Sequence, residues 1–171
     1  DTADGEFEFT LAATDEAEIV AIDWGDQRTI PGTKRPYAEF ILSVEVLPIT
    51  AERAVWGLQS DRNSTLDSTT INAWFRLEAS GALLVETDND TTNTDDQSTG
   101  VTLVAGTKYR FVVDCRENGK VVFSIADYDG ANARELKSIT VAMISTTLQP
   151  VVALQKDSGT GVPSIFVDRI L

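Results

Sequence analysis

The sequence predicts an all-β, antiparallel sandwich or barrel, on three observations. Apolar and polar residues alternate at a period of two along most of the chain. Turn signals containing Gly, Asn or Asp recur about every 8–12 residues. No long stretch carries the repeat of an amphipathic helix, and no strand–helix alternation announces a parallel sheet.

The elements follow in order. Phe7, Phe9 and Leu11 alternate with Glu6, Glu8 and Thr10. Residues 14–36 are less regular and hold Pro31-Gly32. Residues 1–36 therefore read as an arm or a set of first strands, ahead of a sandwich over residues 37–171, the whole forming one compact domain. In Tyr37–Val46, Ala38, Phe40, Leu42, Val44 and Val46 take every second place, which puts one apolar row on one face of a strand. Ala73, Phe75 and Leu77 alternate with Trp74, Arg76 and Glu78, and Tyr109, Phe111, Val113 and Cys115 with Arg110, Val112 and Asp114. Residues 55–58, 83–86, 121–125, 139–143, 151–155 and 164–170 are further strands, rich in the residues that suit a pleated, half-buried surface. Asn118-Gly119 is a hairpin signal, because Asn-Gly accepts positive φ angles. Residues 131–136 are expected to make one helical turn, and the polar stretch 87–99 a long exposed loop.

Composition bounds the function. The chain has 171 residues, 42% of them hydrophobic, enough to bury a core without staples. It carries 14 Lys and Arg against 27 Asp and Glu, a net charge of -13, which repels nucleic-acid phosphates and acidic membrane surfaces. It contains no His, which removes every imidazole base, His-based triad and His metal site. The single Cys115 can form no intrachain disulfide and reads as a small buried hydrophobe. The chain starts at Asp1 rather than Met, which reads as a piece cut from something longer. Asn63-Ser64-Thr65 and Asn89-Asp90-Thr91 match the glycosylation sequon, but no secretory context supports their use.

Two groups of residues are candidates for binding. Glu86, Asp88, Asp90, Asp95 and Asp96 form an acidic constellation. Glu86-Thr87-Asp88 partly matches the paired carboxylates of jelly-roll glucanases, but the place of the last Glu is taken by Thr91 or Asp90. Asp88, Asp90, Asp95 and Asp96 are candidate calcium ligands, since calcium accepts irregular oxygen shells. The stretch lacks the Gly and closing Glu of an EF-hand loop. A solvated loop whose Asp, Asn and Thr bond to their own backbone is the alternative. Trp74, Arg76 and Glu78 share a strand face and are candidate contact residues for a ligand such as a sugar ring, whereas Trp24 and Trp56 are expected to be buried. Arg28, Lys34 and Arg35 cluster in the irregular N-terminal part and are candidate contacts to an acidic partner.

Trp74-Phe75-Arg76-Leu77-Glu78, Glu86-Thr87-Asp88, Asp95-Asp96, Thr99-Gly100-Val101, Tyr109 to Asp114, Val122-Phe123, Leu148-Gln149-Pro150, Gln155-Lys156 and Val167-Asp168 give residues 56–171 a resemblance to a known domain type. The run resembles the concanavalin A/laminin G-like jelly roll of tailed-phage virion proteins, of the head decoration or cement kind. That resemblance implies a non-catalytic structural protein on the capsid surface, assembled in the bacterial cytoplasm. Its implied partners are the major capsid protein and copies of itself in a homotrimer; the calcium reading rests on the acidic residues alone. The same jelly roll hosts lectins and glucanases, so a carbohydrate-binding module for host attachment is the alternative.

Overall fold

Among the described residues, alternation sorts the side chains of thirteen strands into a core and two outer faces. The computed structural model describes residues 5–27, 30–143 and 147–171, and of Ser80 only the backbone. In chain order the strands are β1 (Phe7–Thr10), β2 (Glu18–Asp23), β3 (Ile30–Pro31), β4 (Tyr37–Val46), β5 (Glu52–Gln59), β6 (Ile71–Leu77) and β7 (Ala82–Asn89). They continue as β8 (Asn93–Thr102), β9 (Lys108–Asp114), β10 (Val121–Asp127), β11 (Arg134–Ile139), β12 (Thr147–Lys156) and β13 (Ser164–Ile170). A six-stranded sheet runs β1-β13-β4-β9-β10-β11, and a second runs β2-β12-β5-β6-β7-β8 with β3 joined to β12. Every pairing is antiparallel. Among the described residues no helix is long and apolar enough to cross a membrane.

The sheets meet through their inward rows. Phe40 and Leu42 from β4, Phe111 from β9 and Phe123 from β10 face Trp56 from β5, Phe75 from β6 and Val152 from β12. At the centre, Phe111 lies 4.8 Å from Trp56 and 5.1 Å from Phe75, and Phe123 lies 5.2 Å from Phe75, ring centre to ring centre. Tilted and edge-on pairs at such distances add about 0.5–1.5 kcal/mol each beyond the area they bury. Cys115 closes one end of this core as the expected buried hydrophobe. Burial, with the charge of Asp114, pushes its thiol up to about 12, far from the thiolate state that reacts.

Three local expectations are corrected. Residues 87–99 are not a loop: Asn89 and Asn93 bound a tight turn, and β8 carries this polar stretch as the edge strand of its sheet. A strand with one free edge can be polar throughout, and its charges and two register shifts against β7 blunt the edge against further pairing. Residues 131–136 make no helical turn. Asp129-Gly130 ends a hairpin whose second arm is β11, and the strand expected at 139–143 stops at Ile139. β2 lies unseen in the irregular N-terminal part because both its faces are covered. Val20 and Ile22 pack on the main core while Ile19 and Ala21 pack on a second apolar cluster, so no alternation remains to be read.

The connection from β1 to β2 is held by a buried cation. Lys156 at the end of β12 is 0% exposed. Its Nζ donates to the backbone oxygens of Ala12 at 2.5 Å and Thr14 at 2.6 Å and lies 3.5 Å from Glu18 Oε2. The same Glu18 oxygen accepts the Ala12 N–H at 2.8 Å. Lys156→Met keeps the volume but leaves both carbonyls unpaired. A loss of about 2 kcal/mol is expected in urea unfolding, with residues 12–18 the first to gain hydrogen exchange. Gly57 on β5 stands opposite Trp74 on β6. A Cβ there would fall 2.4 Å from Ala73 O and 2.5 Å from Trp74 Cα. Gly57→Ala is therefore expected to cost about 2–3 kcal/mol by the same measurement, since backbone atoms must move to admit the methyl group.

Candidate functional site

The alternation that sends Ala73, Phe75 and Leu77 of β6 into the core sends Asn72, Trp74 and Arg76 to the opposite face. On β7, Glu86 stands beside Trp74 and Asp88 beside Asn72. From β8 come Asp95 and Asp96. Consecutive strand residues normally point to opposite faces. Here the β7–β8 register shifts between Val85 and Thr87, Asp96 takes φ +48°, and both carboxylates reach one pocket. The connection from β5 to β6 crosses this face. Its Leu66 packs with Trp74, Val55, Val151 and Ala153, and its Asp67 and Thr69 complete the wall of a cavity of 220 Å³.

Arg76 organises the charges. It is 7% exposed. Its Nη1 donates to Asp67 Oδ1 at 2.6 Å and Glu86 Oε2 at 3.2 Å. Its Nη2 and Nε donate to Glu78 Oε1 at 2.6 and 2.8 Å, and Nε lies 3.5 Å from Asp96 Oδ1. Burial alone would lower the Arg76 guanidinium, but the bonds to Glu78 and Asp67 and the charges of Asp67 and Glu86 hold it above its usual value. Burial pushes the Glu86 carboxyl above the ordinary range, and the charge of Asp95 adds to this. The neighbouring Trp74 indole, the Arg76 charge and the Asn72 amide, which donates to Glu86 Oε1 at 3.0 Å, act against it. Asp88 is likewise raised, first by burial and then by the charges of Asp95 and Asp90, while the Asp90 N–H opposes the shift.

The residues singled out in the sequence divide as follows. Arg76 and Glu78 do share an ion-pair network. Trp74 is 0% exposed beneath Leu66, so its ring offers no stacking surface; nothing in the alternation of β6 shows that a loop will cover it. Asp88, Asp95 and Asp96 line the pocket, but Asp90 does not. Asp90 occupies the β7–β8 turn at φ +68°, its N–H bound to Thr70 O and Asp88 Oδ1, so the four-carboxylate calcium set is not assembled. Among the described residues, no three Asp, Glu, Cys or His side chains converge as a metal site. Lys34 and Arg35 are exposed on the turn after β3 and do not line this pocket, and Arg28 lies outside the described residues. Asp67 and Thr69 are not legible as site residues: their role comes from where the β5–β6 connection lands, which no local pattern encodes. Trp24 is the second correction. It is 46% exposed at the end of β2, where strand pairing stops, and with Tyr37, Pro150 and Leu171 it lines an apolar cavity of 160 Å³.

Removal of the Arg76 guanidinium leaves Glu86 buried without its counter-ion. Arg76→Met is expected to cost about 3 kcal/mol in urea unfolding, and the double variant Arg76→Met, Glu86→Leu to cost less than the single one. Glu86 also sets a pH dependence. Its raised value means that the folded chain holds the proton more tightly than the unfolded chain. The group thus favours folding in the acid range and loses that contribution as pH rises through its folded-state value. Glu86→Gln should therefore lose less stability than the wild type as pH rises above about 4, the ordinary Glu value, in the same melts.

No family model and no curated protein matches the chain. Solved structures do. A protein of unknown function from Shewanella oneidensis MR-1 superposes with a TM-score of 0.66 at 14% identity, over 99% of this chain and 70% of that one. An alginate lyase from Pseudomonas aeruginosa gives 0.66 at 13% identity, over 99% and 82%. The exoplasmic/lumenal domain of VIP36, in a calcium-bound form, gives 0.58 at 11% identity, over 94% and 82%. Enzymes and lectins share this architecture, and at such identities the likeness speaks for the fold alone. The chain folds as an antiparallel, concanavalin A-like jelly roll.

Proposed function

We propose that this chain is a non-catalytic structural protein of a tailed-phage virion, of the decoration or cement kind. It sits on the outside of the head shell against the major capsid protein, as a homo-oligomer, with a trimer the expected form. The observation that carries the non-catalytic part is the closure of the outer face of β5–β7. Leu66 covers Trp74, and both oxygens of Glu86 are engaged, one by Asn72 and one by Arg76. A glycosidase needs two carboxyls flanking a bound sugar, one free to deliver its proton. A reaction on an anionic polyuronate needs a free cation, and Arg76 is already shared among four carboxylates. The virion role is supported by the resemblance of residues 56–171 and by the apolar side chains left at the surface. Phe7, Ile49 and Val104 are each more than half exposed, at 57%, 57% and 61%, which suits protein contacts. Electron microscopy of the parent particle with and without this chain tests it. Loss of the chain should remove density from the outside of an intact shell and lower the shell's resistance to heat. Purified particles that never contained the chain would end the reading.

A second reading, a carbohydrate-binding module, is favoured by the exposure of Trp24 and Tyr37 side by side on one cavity, since sugar rings stack on such faces. Saturable binding on a glycan array, lost in Trp24→Ala, is the result expected of it. An array that stays blank removes it.

A further inference from the structure

Asn118-Gly119 closes the β9–β10 hairpin, and the state of its side chain sets it apart. The chain holds six asparagines: Asn63, Asn72, Asn89, Asn93, Asn118 and Asn132. Five have their side chains tied. Asn63 donates to Ser68 O at 3.1 Å and accepts the Thr65 N–H. Asn72 is buried and donates to Glu86. Asn89 donates to Ala142 O and accepts from the Thr91 and Thr92 N–H groups. Asn93 donates to Asp95 at 3.0 Å and Asn132 to Asp127 at 2.6 Å. Asn118 is exposed, and its side chain makes no hydrogen bond among the described residues.

A free carboxamide matters because of the nitrogen that follows it. The backbone nitrogen of the next residue can close a succinimide ring on the asparagine Cγ. After the other five asparagines come Ser64, Ala73, Asp90, Thr94 and Ala133, whose Cβ atoms crowd that nitrogen. Gly119 has no Cβ, and apart from its chain neighbours nothing lies within 4 Å of the place one would take. The turn is also loosely tied. The Lys120 N–H reaches Glu117 O only at 3.4 Å, longer than the usual range, and the positive φ of +71° falls on Gly119. Rotation of Asn118 into the cyclising geometry therefore disturbs little. We propose that Asn118 is a site of spontaneous modification through a succinimide. The Gly119 nitrogen bonds to Asn118 Cγ, the Cγ–Nδ2 bond breaks, and ammonia leaves with the Gly119 proton. Water then adds across either carbonyl–nitrogen bond of the ring. One opening gives an aspartyl residue, the other an isoaspartyl residue whose main chain is one methylene longer. Asp129-Gly130 has the same spacing but does not qualify. Its carboxylate is ionised at neutral pH and offers no leaving group like ammonia, and Asp129 Oδ1 is held by the Ala131 N–H at 2.9 Å. Modification of Asn118 adds one negative charge beside Glu117, which already holds Lys120 Nζ at 3.0 Å. The isoaspartyl form also lengthens the turn between the strands that carry Phe111 and Phe123. The converted fraction records the age of the chain, whatever the chain binds.

Peptide mapping by mass spectrometry tests this on the full folded chain, sampled over time in warm, mildly alkaline buffer made with heavy-oxygen water. Asn118 is expected to convert at least about tenfold faster than any other asparagine. Aspartyl and isoaspartyl products should both appear, resolved by chromatography, each carrying one heavy oxygen. Conversion should slow in acid, because the Gly119 nitrogen attacks in its deprotonated form. Asn118→Gln has a longer side chain that closes a less favoured ring, and it should abolish conversion at this position. The Asn118 side chain is exposed and unbonded, so this variant should keep the circular dichroism of the wild type. Gly119→Ala should also slow conversion. Its backbone is strained at a φ of +71°, so Asn118→Gln carries the test should that variant fail to fold. Faster conversion of another asparagine, an aspartyl product without the isoaspartyl one, or conversion only after unfolding in urea would overturn the proposal.

Discussion

Strand β6 must satisfy two environments at once, and most of the molecule follows from that constraint. Its period-two alternation commits Phe75 to the aromatic centre of the sandwich and, one residue away on either side, Trp74 and Arg76 to the other face. Neither of the latter two can be left in a half-open groove at no cost. The indole is large and apolar, and is covered by Leu66. The guanidinium is charged and nearly buried, and is held by carboxylates from four separate segments. Gly57 on the adjacent strand is the steric counterpart of this arrangement, since any side chain there would meet the Trp74 backbone. Sheet packing, loop placement and the charge cluster are thus coupled through three consecutive residues.

That coupling explains what the sequence reveals and what it hides. The sandwich is legible because β4, β6 and β9 each have one face in the core and alternate cleanly. β2 is hidden because it is covered on both sides, so that Glu18–Asp23 reads as an apolar run with no period. β8 is hidden for the opposite reason: it lies at a sheet edge, packs little, and is free to be Asp, Asn, Thr and Gln. The site is legible only in part. Glu86, Asp88, Asp95 and Asp96 are close in sequence and their clustering is visible there. Asp67 and Thr69 reach them across a connection that no periodicity describes, and the burial of Trp74 depends on that same connection. Trp24 escapes the sequence pattern because a tryptophan's preference for burial is a statistical tendency, and just past the end of an edge strand its ring is covered on one side only.

The charge distribution has a physical consequence beyond solubility. A chain at net -13 has few cations to spend, and the structure spends its buried ones on architecture. Lys156 ties the N-terminal connection to β12, Arg53 joins the β5–β6 connection at Asp67 to Asp157 after β12, and Arg76 joins that connection to β7 and β8. Asp67 sits between Arg53 and Arg76, so one carboxylate of the covering loop is bonded to both β5 and β6. The loop that covers Trp74 is therefore held by an apolar anchor at Leu66 and a charged one at Asp67, adjacent in sequence. Loosening either one exposes the other to water.

Such a face is costly to build if its only purpose is stability. Buried ion pairs lose most of their attraction to desolvation, and well-packed apolar residues of similar volume often serve as well or better. A sandwich with an aromatic centre of this size has no need of four carboxylates around one arginine to stay folded. Asp88 and Asp95, in excess of that arginine, have no cationic partner among the described residues and add repulsion, although each accepts a neutral hydrogen bond, Asp88 from the Asp90 N–H and Asp95 from the Asn93 amide. Selection for stability alone would favour their replacement by Asn or Thr, which the same strands already carry at neighbouring positions such as Asn93 and Thr94.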